Sequence, residues 1–164
     1  MSAANEMGDA RTGIPLILRT DGASRGNPGH AAAGVAIERD DGTLLARGKK
    51  YLGIMTNNQA EYRALILGLR SAARYNPTAL RVFMDSELIV RQMTGQYKVR
   101  DDTLRPLYEE AQKLARALPN VTFTHVLRGK NALADALANE ALDEQARRER
   151  EQAAERSNRG KEKE

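Results

Sequence analysis

The chain has 164 residues, 41% hydrophobic but only 4% aromatic and without tryptophan, a composition that suits a single domain with an aliphatic core. It has no cysteine, which excludes a disulfide scaffold, a zinc ribbon and a thiol nucleophile. A net charge of +4 points weakly to a polyanionic partner, and short apolar runs together with a non-basic amino terminus imply a soluble, cytoplasmic protein with no membrane span.

Residues 1–13 are small, polar and aperiodic, and are expected to be disordered. Pro15–Thr20 reads as an aliphatic strand ending at Asp21 and a glycine-rich turn, GASRGNPG. Ala32–Arg39 and Leu44–Leu52 read as strands around Asp40-Asp41-Gly42, a hairpin signal, so the first three strands should form an antiparallel meander. Thr56–Arg74 is a helix: Thr56 and Gln59 have capping-box spacing, Leu65, Leu69 and Ala72 recur on one face, and Asn76-Pro77 ends the segment. Leu80–Met84 is a strand feeding a helix over Ser86–Met93. Leu104–Leu118 is a helix stopped by Pro119-Asn120, and Val121–Leu127 is a fifth strand. Asn131–Leu142 opens an Ala/Leu-rich helix. The following Asp143–Glu164 carries seven basic and seven acidic residues and has no apolar face, so it is expected to be a charged helical or disordered tail. The domain therefore covers 14–142 and holds the whole excess of positive charge. Strand 4 leaves one helix and enters another, which predicts a mixed α/β sheet with strand 4 parallel to strand 1.

Four carboxylates fit poorly into this frame. Asp21 and Asp85 each end a buried strand, where open α/β sheets place ligand crevices, although either alone could serve as a cap. Glu61 shares its helix face with Leu65, Gly68, Leu69 and Ala72 and has no Lys or Arg three or four residues away. Desolvating it there costs several kcal/mol unless it is neutralised, far more than the ~0.3–1 kcal/mol a helix amino terminus returns. Asp135 repeats the pattern among alanines, with Ala138 and Leu142 on its own side. Unpartnered acids gathered at one sheet end call for divalent cations, and an all-oxygen donor set suits Mg2+ or Mn2+. Two such ions about 3.5–4 Å apart can clamp the attacking and departing oxygens of a phosphodiester displacement.

The segments TDGASRGNPG (20–29), TNNQAEYRAL (56–65), MDSELIVRQMTGQYKV (84–99) and NALADALAN (131–139) occur in this order, with successive acids 40, 24 and 50 positions apart. In this the chain resembles the type 1 ribonuclease H family over about residues 15–142, in a short form without the basic protrusion. The resemblance implies a ribonuclease-H-like α/β fold: a mixed five-stranded sheet, strands 1–3 antiparallel and strands 4 and 5 parallel to strand 1, with helices on both faces. It further implies endonucleolytic hydrolysis of the RNA strand of RNA/DNA hybrids, leaving 5′-phosphate and 3′-hydroxyl ends, by a monomer using two Mg2+ ions, with Mn2+ as a substitute. Asp21, Glu61, Asp85 and Asp135 match the family's metal-binding acids, Asp21 bridging both ions, Asp135 completing the nucleophile side, and Glu61 and Asp85 holding the other. Gly26, Asn27, Thr56, Asn57, Asn58 and Gln59 match its substrate-contacting segments, although helix capping is the structural alternative for Asn57 and Asn58, and Thr56 and Asn57 can do both. The 2′-hydroxyl distinguishes RNA from DNA, and Asn and Gln side chains suit it because they both donate and accept.

Three departures qualify the resemblance. The family's loop histidine is missing, because His125 precedes Val126 within the fifth strand, so Arg128 or Lys130 would have to serve electrostatically. GQYKVRDD joins the second and third helices with only Lys98 and Arg100 as cations. Glu87 stands where several members have glutamine. Two other readings share this scaffold: a module that binds hybrids without cutting, and an integrase-type DNA nuclease. The intact quartet argues against the first, and the TNNQAE and DGASRGNPG signatures argue against the second.

Overall fold

The computed structural model describes residues 13–163; the segment 1–12, most of the expected disordered leader, lies outside them. Five strands form one sheet: β1 (Pro15–Gly26), β2 (Gly29–Arg39), β3 (Leu44–Met55), β4 (Ala79–Met84) and β5 (Val121–His125). Four helices accompany them: α1 (Asn57–Ala73), α2 (Glu87–Met93), α3 (Arg105–Arg116) and α4 (Ala132–Glu162), the last entered through a 3-10 turn at Arg128–Asn131. The strand order is β3-β2-β1-β4-β5. β1 pairs antiparallel with β2 and β2 with β3, whereas β1–β4 and β4–β5 are parallel. This is the mixed sheet read from the sequence.

An aliphatic core fills the space between the sheet and α1–α3, built on Leu16, Leu18, Val35, Ile37, Leu65, Leu69, Leu80 and Val82. α4 covers the opposite face over β1–β3, where Ala32, Ala141 and Leu142 pack with Ala23 and Tyr51. β1 and β2 are longer than the sequence suggested. The glycine-rich run is not a turn after Asp21: pairing continues through Asp21↔Gly34 and Ser24↔Ala31 to Gly26↔Gly29, and the chain reverses only at a cis Asn27-Pro28 bond. Asp21 therefore sits inside β1.

The glycines in this stretch serve close packing. A Cβ on Gly22 would strike the Ala60 carbonyl and the Glu61 amide of α1, and one on Gly34 would strike the Ala134 carbonyl of α4. Backbone can meet backbone at Gly22 of β1 and at Gly34 of β2 only because both positions lack a side chain. β3 likewise runs on to Met55, where the capping box takes over: Thr56 Oγ1 accepts from the Gln59 amide at 3.3 Å and Gln59 Oε1 accepts from the Thr56 amide at 2.9 Å. α4 continues without a break past Leu142 for 31 residues in all, roughly 45 Å. Its early turns are tied to the sheet by Lys49 to Glu140 and Glu144 and by Arg25 to Asp143, and everything from Arg147 onward is exposed.

Candidate active site

Asp21 enters from the middle of β1, Glu61 from the second turn of α1, Asp85 from the end of β4 and Asp135 from the first turn of α4. The close approach of α1 at Gly22 brings Glu61 toward Asp21, and that of α4 at Gly34, the partner of Asp21 in the β1–β2 register, does the same for Asp135. Carboxylate oxygens of Asp21, Glu61 and Asp85 all lie within 4.8 Å of one another. Asp135 lies outside that tight group but close enough to Asp21 for their carboxyls to share a hydrogen bond. Its own Oδ1 is 3.4 Å from Arg128 Nη2.

Burial makes the cluster costly. Asp21 and Glu61 are 4% and 8% exposed. Desolvation first, then the neighbouring Asp85 charge, raises the Asp21 carboxyl to about 7. Glu61 is pushed well above the ordinary carboxylate range by burial, then by Asp21 and Asp85, with the Gly22 amide acting in the other direction. Glu61 Oε2 is buried with no hydrogen-bond partner among the described residues. A polar atom in that condition is expensive unless something outside the chain meets it. Among the described residues no cation enters the group of three, since Arg128 reaches only Asp135. An all-oxygen set with an unmet, buried carboxylate oxygen fits a hard divalent cation, with Asp21, Glu61 and Asp85 as one set of donors and Asp21 with Asp135 as the adjoining one.

The capping alternative for Asp85 falls away: Ser86 caps α2 through its Oγ, which accepts from the Ile89 amide at 3.3 Å. Glu87 forms an exposed i,i+4 pair with Arg91 at 2.7 Å. His125 is the exposed last residue of β5.

The expected substrate-contacting residues gather where the β1–β2 hairpin meets the start of α1. Asn57 Oδ1 accepts from the Ser24 amide and Asn27 Oδ1 accepts from the Asn57 amide, both at 3.1 Å. With Gln59 Oε1 already taken by Thr56, all three amide oxygens face inward to backbone donors. These donors also fix which end of each amide is oxygen. Among the described residues nothing engages Asn27 Nδ2, Asn57 Nδ2 or Gln59 Nε2, so this corner presents donors. Sequence reasoning treats these amides as two-way groups; in the structure each oxygen already accepts one backbone N–H, while the amide nitrogens stay unengaged among the described residues. Asn58 follows on the first turn of α1, and Gly26, at φ +115, leaves the hairpin open beside them. Sequence reasoning also overlooks Asn131. It stands at the N-cap position of α4, yet its side chain makes no capping hydrogen bond.

A family model described as reverse transcriptase-like matches residues 19–141. Ribonuclease HI of Halobacterium salinarum is 45% identical over 124 residues, which are 76% of this chain and 62% of that protein. A bifunctional protein of Mycobacterium tuberculosis is 44% identical over 131 residues, covering 79% of this chain. The chain spans only 36% of that relative's length. Among solved structures, ribonuclease H1 from Halobacterium salinarum aligns with a TM-score of 0.77 at 43% identity, over 79% of this chain and 98% of that one. LC11-RNase H1, solved in complex with an RNA/DNA hybrid, gives 0.77 at 43% identity over 80% and 99%. The order of strands, the acids they carry and the extent of these matches agree: the chain belongs to the ribonuclease H family.

Proposed function

We propose that this protein is a divalent-cation-dependent endonuclease that hydrolyses the RNA strand of RNA/DNA hybrids, leaving 5′-phosphate and 3′-hydroxyl ends. The observation that carries the reading is the convergence of Asp21, Glu61 and Asp85 within 4.8 Å, with a buried Glu61 oxygen left unmet. A module that only binds hybrids has no use for such an arrangement, because buried carboxylates repel phosphates. Mg2+ is the ion that best suits the donor set, with Mn2+ as a substitute. When bound, it supplies positive charge to the reacting phosphodiester and acidifies the attacking water.

The chain's own residues do the rest. Glu61 and Asp85 would hold one ion together with Asp21, Asp135 would hold a second with the same Asp21, and one chain provides all four groups, so a monomer suffices. Arg128, largely exposed and resting on Asp135, is the cation placed to meet a phosphate beside the acids. The free amide donors of Asn27, Asn57 and Gln59 are suited to the 2′-oxygen of ribose and to minor-groove acceptors on the bases. Thr56, Asn58 and the open backbone at Gly26 complete that surface.

The test is cleavage of end-labelled RNA/DNA hybrid, RNA duplex and DNA duplex side by side, with and without Mg2+, using Asp85→Asn as the control. Nicking of the hybrid's RNA strand alone, dependent on the ion and lost in Asp85→Asn, is the expected result. Binding without nicking, or equal cutting of DNA duplex, would sink the proposal.

A further inference from the structure

Two consecutive residues of β1, just ahead of Asp21, hold two consecutive residues just ahead of α4. Arg19 Nη1 donates to the Lys130 carbonyl at 2.9 Å, and Asn131 Nδ2 donates to the Thr20 carbonyl at 2.8 Å. Among the described residues these are the hydrogen bonds that join the 3-10 turn to β1.

Arg19 is held from three sides. Its Nε donates to Glu38 Oε1 on β2 at 3.0 Å, its guanidinium carbon lies 4.9 Å from the centre of the Phe83 ring on β4, and its remaining reach goes to the turn. The side chain is only 23% exposed. A planar, forked cation is the side chain suited to such a junction. Asn131 is fully buried, and its Oδ1 has no partner among the described residues. A buried acceptor left unmet is unfavourable, so packing alone does not account for an asparagine here. What Asn131 adds is a directed link to the residue preceding Asp21. Asp135 lies one helical turn beyond Asn131, so any shift in the entry of α4 is passed directly to its carboxylate.

We propose that Arg19 and Asn131 are positioning residues that clamp the entry of α4 to β1, thereby setting the spacing of Asp21 and Asp135 and the affinity for the divalent ion they share. The proposal rests on the hydrolytic reading of the acidic cluster. Outer partners of metal ligands are worth about 10–100-fold in affinity or activity, which sets the expected scale.

The experiment measures Mn2+ binding by calorimetry without nucleic acid, the Mg2+ dependence of hybrid cleavage, and thermal melting, on the full chain and its variants. Arg19→Met is expected to weaken Mn2+ binding about 10-fold or more, to raise the Mg2+ concentration for half-maximal cleavage by a similar factor and to leave KM for the hybrid unchanged. Arg19→Lys keeps a donor for the Lys130 carbonyl and should recover part of the loss. Arg81→Met is the control: Arg81 also stacks on Phe83, at 5.7 Å, but pairs with Asp40 instead of the turn, and its removal should move neither ion measurement. A variant that is merely less stable melts lower and keeps the wild-type ion midpoint. Unshifted ion binding in Arg19→Met, or an equal shift in Arg81→Met, overturns the clamp. Should Arg19→Met fail to fold, Asn131→Ser carries the test with the same expected shift. A wild-type chain that binds Mn2+ and cleaves hybrid while the variants stay unshifted sinks the clamp alone, and one that does neither overturns the hydrolytic reading with it.

Discussion

Asp21 ties stability to the pH of the ion-free protein. In the folded chain its carboxyl titrates near 7, against 3.8 for an unburied aspartate. Between those values the folded state keeps a proton that the unfolded state has released. Its contribution is therefore fully present below about pH 4 and is lost as the pH rises through 7, by a few kcal/mol for the buried group. Thermal melts in a chelator should show a higher midpoint at pH 5 than at pH 8. Asp21→Asn should raise the midpoint at pH 8 while abolishing hybrid cleavage, and added Mg2+ should erase the pH difference in the wild-type chain only. His125→Ala makes the contrasting case. The ring is exposed at the end of β5, so cleavage should stay close to wild type in a steady-state assay. A loss on the scale of Asp21→Asn would restore the histidine to the mechanism. The acids are legible in the sequence because each is a charge on an apolar face or directly after an aliphatic run, although Asp21 proves to lie inside β1 and not at its end. The state of the amides is not: that the oxygens of Asn27, Asn57 and Gln59 each accept from a backbone amide depends on residues up to 33 positions away.

At the level of elements, α1 is the most legible part, because its cap, apolar stripe and stop signal are all local. Thr56 and Gln59 form the reciprocal pair their spacing predicts. β1 is the least legible. Gly22, Ser24 and Gly26 look like turn chemistry, and only the helices lying against the strand reveal that Gly22 is there for clearance. Gly34→Ala gives this a direct test. The added methyl meets the Ala134 carbonyl, a backbone atom that cannot rotate aside, so α4 must lift. The expected cost is roughly 1–3 kcal/mol or more in urea unfolding, accompanied by a loss of cleavage larger than stability alone explains. Gly48→Ala on β3, where an added Cβ meets nothing, should change neither. α4 takes the helical of the two states expected for the tail: its exposed half has good helix formers but no apolar face, and extends a helix already nucleated by packing at Ala138, Ala141 and Leu142.

For the molecule as a whole, the charge balance becomes a statement about substrate binding. The net charge is +4, and the joint between α2 and α3 offers only Lys98 and Arg100 as cations. Hybrid affinity then rests on scattered phosphate contacts, each of which releases counterions. KM for the hybrid should rise at least roughly tenfold between about 50 and 200 mM salt, with kcat little changed, in initial-rate measurements at fixed Mg2+. A KM insensitive to salt would point to a grip on the bases or sugars that phosphates do not share. The antiparallel meander of β1–β3 and the parallel setting of β4 beside β1 could be read from the sequence, because short turns join the first three strands and β4 lies between two helices; the place of β5 followed from the family resemblance. How tightly the layers approach could not be read there, since that depends on which glycines face a helix.

Main chain lying against main chain on either side of Asp21 gives this catalytic centre a hard mechanical reference. Bond lengths and helix pitch, which sequence change leaves alone, fix where three of the segments stand, so drift among the leucines and valines beneath them need not detune the carboxylates. Evolution, or an engineer, is therefore free to rebuild the interior of this domain widely, provided that two positions without side chains are left as they are.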